Sequence, residues 1–416
     1  MRKGDVSSTL SDDALVLTDP TRYARDGYPH HVWTRLRAQC PVYLTPPEYE
    51  PFWAITKHAD IMEITRQPVR FSSAQGINLR RIGEVWRPSD MVVMLDPPQH
   101  GLLRRVANAW FTPRALRERR AEIDRIALEI LDDAAPVDAA GELDFVDRIA
   151  APFPLAVIAS TLGVPRDDWP LLFRWTNEVI GREDPEYQLP GETADETGRR
   201  ARREVHAYFR LMIEARRHDP QNDLVTELIR AEIDGEPLTE SQLVSYCELL
   251  VEAGNETTRN AISGGVLAFS DHHHEWEKLQ KQPDLLPDAV EEILRWVSPI
   301  AYFARTATED CVVRGTKIRA GEQVAMYFAS ANRDEQLFDN PFAFLIDRRP
   351  NPHLAFGFGE HFCMGAQLAR VELEVMFRYL LERLDEFEPS GPVQRLNSIV
   401  NGSIKHLPLR YRTVKA

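Results

Sequence analysis

The longest stretch compatible with one helix, residues 239 to about 270, constrains this chain more than any other feature. It opens on Thr239-Glu240-Ser241-Gln242, where the threonine and the glutamine can each cap the other's backbone amide. Some 30 residues at ~1.5 Å each make a rod of ~45 Å, enough to cross a domain. A chain of 416 residues built round such a rod should be one large, mostly helical body. Helical periodicity, with Pro and Gly between segments, continues at 115–134, 155–162, 197–217, 224–233 and 365–384. Further helices are expected at 33–39 and 59–66, and a strand at Phe52-Trp53-Ala54-Ile55-Thr56. A second strand-rich patch spans 303–326, a long meander 329–359 and a small hairpin 391–411. The fold class is therefore mainly α (α+β). We divide it into a loose acidic lead, 1–20, and a single domain, 21–416.

Composition narrows the function classes. The net charge of −14 disfavours a broad basic surface for nucleic acid. No apolar run follows the N-terminal Met1-Arg2-Lys3, so a signal peptide is not expected. The greasiest stretch, 153–164, contains Pro154, Ser160 and Thr161 and falls short of the ~20 apolar residues of a membrane span. A cytoplasmic protein without a membrane anchor is expected. Of the four cysteines, Cys40, Cys247 and Cys311 read as small buried hydrophobes, and none forms a C-x-x-C pair. His272-His273-His274 reads as a solvated corner between helices.

The fourth cysteine lies in Phe356-Gly357-Phe358-Gly359-Glu360-His361-Phe362-Cys363-Met364-Gly365, directly before a helix. Glycine admits backbone conformations closed to other residues and lets a flat ligand come close. The free amides and positive dipole end of a helix start favour a thiolate over a thiol. The loop is thus suited to present an anionic sulfur ligand. Here the chain resembles the cytochrome P450 superfamily, whose haem signature F-x-x-G-x-[HR]-x-C-x-G is matched at Phe356, Gly359, His361, Cys363 and Gly365. The resemblance implies haem b (iron protoporphyrin IX), ligated axially by Cys363 and cradled by Phe356, Gly357 and Gly365. It implies haem held between the long helix and the cysteine-loop helix. A thiolate donates electron density to haem iron and favours O–O cleavage.

Near the middle of the long helix stands Ala253-Gly254-Asn255-Glu256-Thr257-Thr258. Glycine and β-branched threonines weaken a helix, and a threonine hydroxyl competes for its carbonyls. The segment resembles the family's [AG]-G-x-[DE]-T-[TS] motif. That implies room for dioxygen at Ala253 and Gly254, proton relay by Glu256, and a hydrogen bond to oxygen or water from Thr257.

Glu292 and Arg295, three apart on one helix face, resemble the family's structural E-x-x-R pair. A third cation usually joins from P-x-R-F, but here the text is Pro341-Phe342-Ala343-Phe344, which leaves the third partner open, with Arg348, Arg349 and His353 as candidates. Haem propionates need cationic clamps. The stretch Asp96-Pro97-Pro98-Gln99-His100 with Arg104, followed by Arg305 and His361, resembles the family's clamp set. Leu249, Ala301 and Ile399 are placed by position to line an apolar substrate pocket.

The resemblance implies a monooxygenase that hydroxylates a steroid-, terpenoid- or lipid-like substrate. It also implies electrons from a ferredoxin and an NAD(P)H-dependent ferredoxin reductase, because the haem body uses nearly the whole chain. Two alternatives stand beside it: a peroxide-driven haem-thiolate peroxygenase and a non-catalytic haem-binding sensor.

Overall fold

A computed structural model describes residues 15–45, 51–80 and 88–415. The long helix runs Glu240–Asp271, and both halves of its capping box form: the Gln242 amide donates to Thr239 Oγ1 (3.2 Å) and the Thr239 amide to Gln242 Oε1 (2.9 Å). Twenty of its residues are buried, so it forms the axis of the core. Around it pack the helices Pro152–Leu162, Ala194–His218 and Leu286–Val297, and the helix after the cysteine, Ala366–Arg383. Gly265 makes the last of these contacts possible, because a Cβ there would lie 2.6 Å from Phe377 Cζ and 3.0 Å from Ile293 Cγ2.

The β structure is peripheral. A five-stranded sheet joins Val42–Leu44, Phe52–Ile55, Gln323–Tyr327, Tyr302–Ala307 and Phe71–Ser72 in that order. Gln323–Tyr327 runs parallel to Phe52–Ile55 and antiparallel to Tyr302–Ala307, with Val324 opposite Arg305. A three-stranded sheet places Pro408–Thr413 between Leu384–Pro389 and Ala140–Asp144. The expected tail hairpin is smaller, Gln394–Arg395 against Ile404–His406.

Several expectations need correction. Residues 1–14 of the expected loose lead lie outside the described residues, but its end is not loose: Leu17 is fully buried and a helix begins at Pro20. The helix expected over 224–233 stops at Arg230, after which Glu232–Ile233 pairs with Glu236–Pro237. The Asp234-Gly235 turn between these strands, both residues at positive φ, ends the helical run. The histidine corner is as expected, joining Glu240–Asp271 to His273–Lys281. Among the described residues no helix is long and apolar enough to cross a membrane.

Candidate active site

The cysteine loop is a tight reversal closed by its own backbone. The Cys363 amide donates to the Phe356 carbonyl (2.9 Å), and Gly359–His361 forms a 3₁₀ turn. Gly359 sits at φ +74°, and a Cβ there would lie 2.5 Å from the Thr65 carbonyl oxygen, so only glycine fits. Gly357 also has positive φ (+67°). Gly365 precedes the helix Ala366–Arg383, and its Cβ position lies 4.0 Å from Cys363 Sγ. Phe356 is packed beneath the Arg370 guanidinium, 4.7 Å from ring centroid to Cζ.

Cys363 in its loop and Ala253 on the long helix are both exposed. Protein around Cys363 desolvates it and pushes its thiol up, against the Gly365 amide and the charges of Arg104 and Arg370. The loop and dipole therefore do not ionise this sulfur unaided. A bound metal cation would supply what they lack, since ligation removes the proton.

The four residues expected to clamp the propionates converge. His100 is buried and stacks on His361 with ring centroids 4.0 Å apart. Arg104 Nη2 donates to the Phe362 carbonyl (2.5 Å), tying the helix Gln99–Asn108 to the loop. Arg305 is 6% exposed, and its only hydrogen bond among the described residues goes to its neighbour's carbonyl, Ala304 O (2.8 Å). Burial drives His361 down to about 2, with Arg305, His100 and Arg104 adding to the effect. Burial also lowers Arg305 to about 10, opposed by Asp96. Asp96 is largely committed elsewhere, accepting from Ser72 Oγ (2.5 Å) and the Ser73 amide (2.7 Å). Arg305 is thus a buried guanidinium beside two histidines that burial holds toward their neutral forms, with Glu360 3.4 Å from His100 Nδ1; the two carboxylates of haem would supply the acceptors that the guanidinium lacks among the described residues.

Sequence reasoning passed over two residues of this assembly. Ser73 Oγ lies 3.2 Å from His361 Nε2. Tyr246, on the long helix, donates to the Leu103 carbonyl (3.2 Å) and meets Met364 Sδ (3.8 Å), so it joins three elements beside the cysteine. Neither carries a local signal, because a serine in a loop and a tyrosine on an amphipathic helix are unremarkable until the fold brings them here.

On the long helix, Thr257 Oγ1 donates back to the Ala253 carbonyl (2.8 Å). Glu256 is buried and paired with Arg259, whose Nη2 lies 2.8 Å from Oε1 and 2.7 Å from Oε2. Gly254 has a packing reason beyond room for dioxygen: a Cβ would press on Ile158 Cγ1 at 3.3 Å. Ala301 and Ile399 are brought together in one core cluster, where the Ala301 amide donates to Val400 O (2.7 Å). Both are buried, while Leu249 is half-buried against the main helical core.

Glu292 and Arg295 are both fully buried and doubly bonded at 2.7 Å. Arg348 is the third partner, with Nε 3.1 Å from Glu292 Oε2. Arg349 pairs with Asp288 and His353 with Glu291. Ala343, where the sequence lacks the arginine, contributes its carbonyl to both Arg295 (3.0 Å) and Arg348 (2.9 Å).

Loop, clamps and long helix together define a haem-binding oxidoreductase fold. The sequence model of the cytochrome P450 family matches residues 21–401. The chain is 37% identical to the steroid C26-monooxygenase of Mycobacterium tuberculosis, over 99% of this chain and 96% of that protein. It is 36% identical to the methyl-branched lipid omega-hydroxylase of the same organism, over 93% and 91%. The structure of CYP108D1 from Novosphingobium aromaticivorans superposes with a TM-score of 0.87 at 31% identity, covering 97% of this chain and 99% of that one. The chain belongs to the cytochrome P450 family. It is a monooxygenase whose cofactor is haem b.

Proposed function

We propose that this protein hydroxylates an apolar, steroid- or lipid-like molecule, with Cys363 as the axial ligand and Glu256 and Thr257 handling the protons. Bound haem supplies the oxidising chemistry of R–H + O₂ + 2 e⁻ + 2 H⁺ → R–OH + H₂O. The chain's own part is to hold the sulfur, clamp two propionates through His100, Arg104, Arg305 and His361, and deliver two protons. The observation that carries this reading is Thr257: its hydroxyl sits on the Ala253 carbonyl, beside an exposed alanine and next in sequence to a buried carboxylate. In that position it can hand a proton on from Oγ1 and take one back through Glu256. A peroxygenase has no need of such a pair, and a sensor has no need to deliver protons.

The names of the relatives, a steroid C26-monooxygenase and a methyl-branched lipid omega-hydroxylase, support an apolar substrate with a branched or terminal carbon. We assign the electron supply to a ferredoxin with an NAD(P)H-dependent reductase, and place the protein in the cytoplasm as one domain over 21–416. Ala301, Ile399 and Leu249 remain our pocket candidates. The test has two parts. The reduced, CO-bound protein should show the red-shifted Soret band of thiolate ligation, and a histidine-type band in intact protein would refute Cys363 as ligand. Thr257→Ala should then divert electrons from product to peroxide; unchanged coupling would remove the oxygen-activating reading.

A further inference from the structure

The Glu256–Arg259 pair is more deeply enclosed than a helix-surface pair three apart normally is: the side chains are 4% and 2% exposed. One guanidinium nitrogen, Nη2, lies between both carboxylate oxygens. The other, Nη1, donates to Asn177 Oδ1 (3.0 Å) on the helix Trp169–Ile180. Tyr187, from the connection that follows that helix, faces the same guanidinium. Asp147, in the turn Val146–Ala150, also feels its charge. Burial alone would disfavour the arginine cation, but Glu256 and Tyr187 outweigh it and raise its pKa.

A glutamate on a helix has several rotamers open to it, and a proton relay works in few of them. Here the cation takes both oxygens at once, and Arg259 is itself fixed from a second helix. We propose that Arg259 is a positioning residue for proton delivery, holding the Glu256 carboxylate, on the residue before Thr257, in one rotamer. It touches neither substrate nor cofactor in this role and acts through Glu256. This inference rests on the proton-handling role given above to Glu256 and Thr257.

The test compares Arg259→Gln, Arg259→Lys, Glu256→Gln and the double variant as haem-loaded proteins. An infrared pH titration, with Glu256→Gln as the blank, reads the carboxyl band directly and needs no turnover. Losing a nearby cation favours the protonated carboxyl, so in Arg259→Gln the protonated band should persist to higher pH than in the parent. Arg259→Lys should restore the parent midpoint. With cholesterol as the probe, product formed per NADPH should fall on the order of tenfold in Arg259→Gln. Adding Arg259→Gln to Glu256→Gln should cost nothing further. An unshifted band, or an additive loss in the double variant, overturns the proposal. Should Arg259→Gln lose its haem, Asn177→Leu frees Nη1 without removing a charge; a smaller shift of the same sign supports the proposal and none refutes it. A Glu256→Gln protein that stays coupled would sink the proton relay itself, and Arg259's role with it. A Glu256→Gln protein that uncouples beside an unaffected Arg259→Gln sinks this inference alone.

Discussion

A single missing side chain shows how much one residue can rearrange. Ala343 stands where the family pattern has an arginine, yet Glu292 is not left short of cations. Arg348 arrives from five residues further along, and the Ala343 carbonyl helps hold it. Removing one partner of a fully buried ion pair leaves an uncompensated charge and costs about 3–5 kcal/mol. Arg295→Met should therefore lose about that much, measured by urea unfolding of the haem-loaded protein. Arg348→Met should lose less, because Arg295 still covers both Glu292 oxygens. Equal losses would show that Arg348 is not secondary. The pair was legible in the sequence because E-x-x-R is a local pattern. The identity of its third partner was not, since Arg348, Arg349 and His353 are separated only by where the meander turns.

Among elements, the packing of the long helix on the cysteine helix is set by a glycine. Gly265→Val would drive a branched side chain into Phe377 and Ile293, and overpacking of this kind costs about 1–3 kcal/mol. Because Ala366–Arg383 starts beside Cys363, the expected signature is a lower thermal midpoint together with faster haem loss to apomyoglobin. A second element-level device is the connection between Trp169–Ile180 and Ala194–His218. Glu186 from this connection meets His406 Nε2 (2.7 Å), while Asp144 meets Nδ1 (2.5 Å). Lys405 joins Asp184 (3.0 Å) and Glu186 (2.7 Å), and Asp147 stands 3.8 Å from His406. Burial works against the charged ring, but Glu186 and Asp144 prevail and raise its pKa. A histidine whose folded pKa is raised stabilises below its unfolded pKa and stops doing so as pH rises through the folded value. Hydrogen-exchange protection in 181–193, taken relative to the base-catalysed intrinsic rate, should be high below the ordinary histidine range and fall as pH rises above it. His406→Gln should lower that protection and make it independent of pH; a parent protection that does not change with pH would refute this.

At the scale of the molecule, the proposed clamps would link folding to cofactor binding. On the reading proposed above, loss of the propionates leaves the buried Arg305 guanidinium with the Ala304 carbonyl, Asp96 being already engaged. A ligand held at ~1,000 times its Kd adds ~4 kcal/mol to stability. Haem removal should thus lower the thermal midpoint by several degrees. An apo midpoint equal to the holo one would contradict this. Most of the helical frame was legible from capping boxes and 3.6-residue periodicity, and the cysteine loop from fixed spacing. The strand Ala140–Asp144 was not, since Ala-Gly-Glu-Leu-Asp has no β-branched residue and gains its conformation only from a partner far along the chain. Gly254 was only half understood, because a glycine's neighbour across a helix interface is invisible in one dimension.

That distant partner, Pro408–Thr413, occupies the middle of its sheet. On the ribosome the chain emerges from its N-terminus, so Ala140–Asp144 and Leu384–Pro389 wait with open edges until residue 413 is out of the exit tunnel. Among the described residues every helix precedes this central strand in the chain. A protein cut before Pro408 should therefore keep its helical sequences but expose two unpaired strand edges, and should bind chaperones more strongly than the full chain.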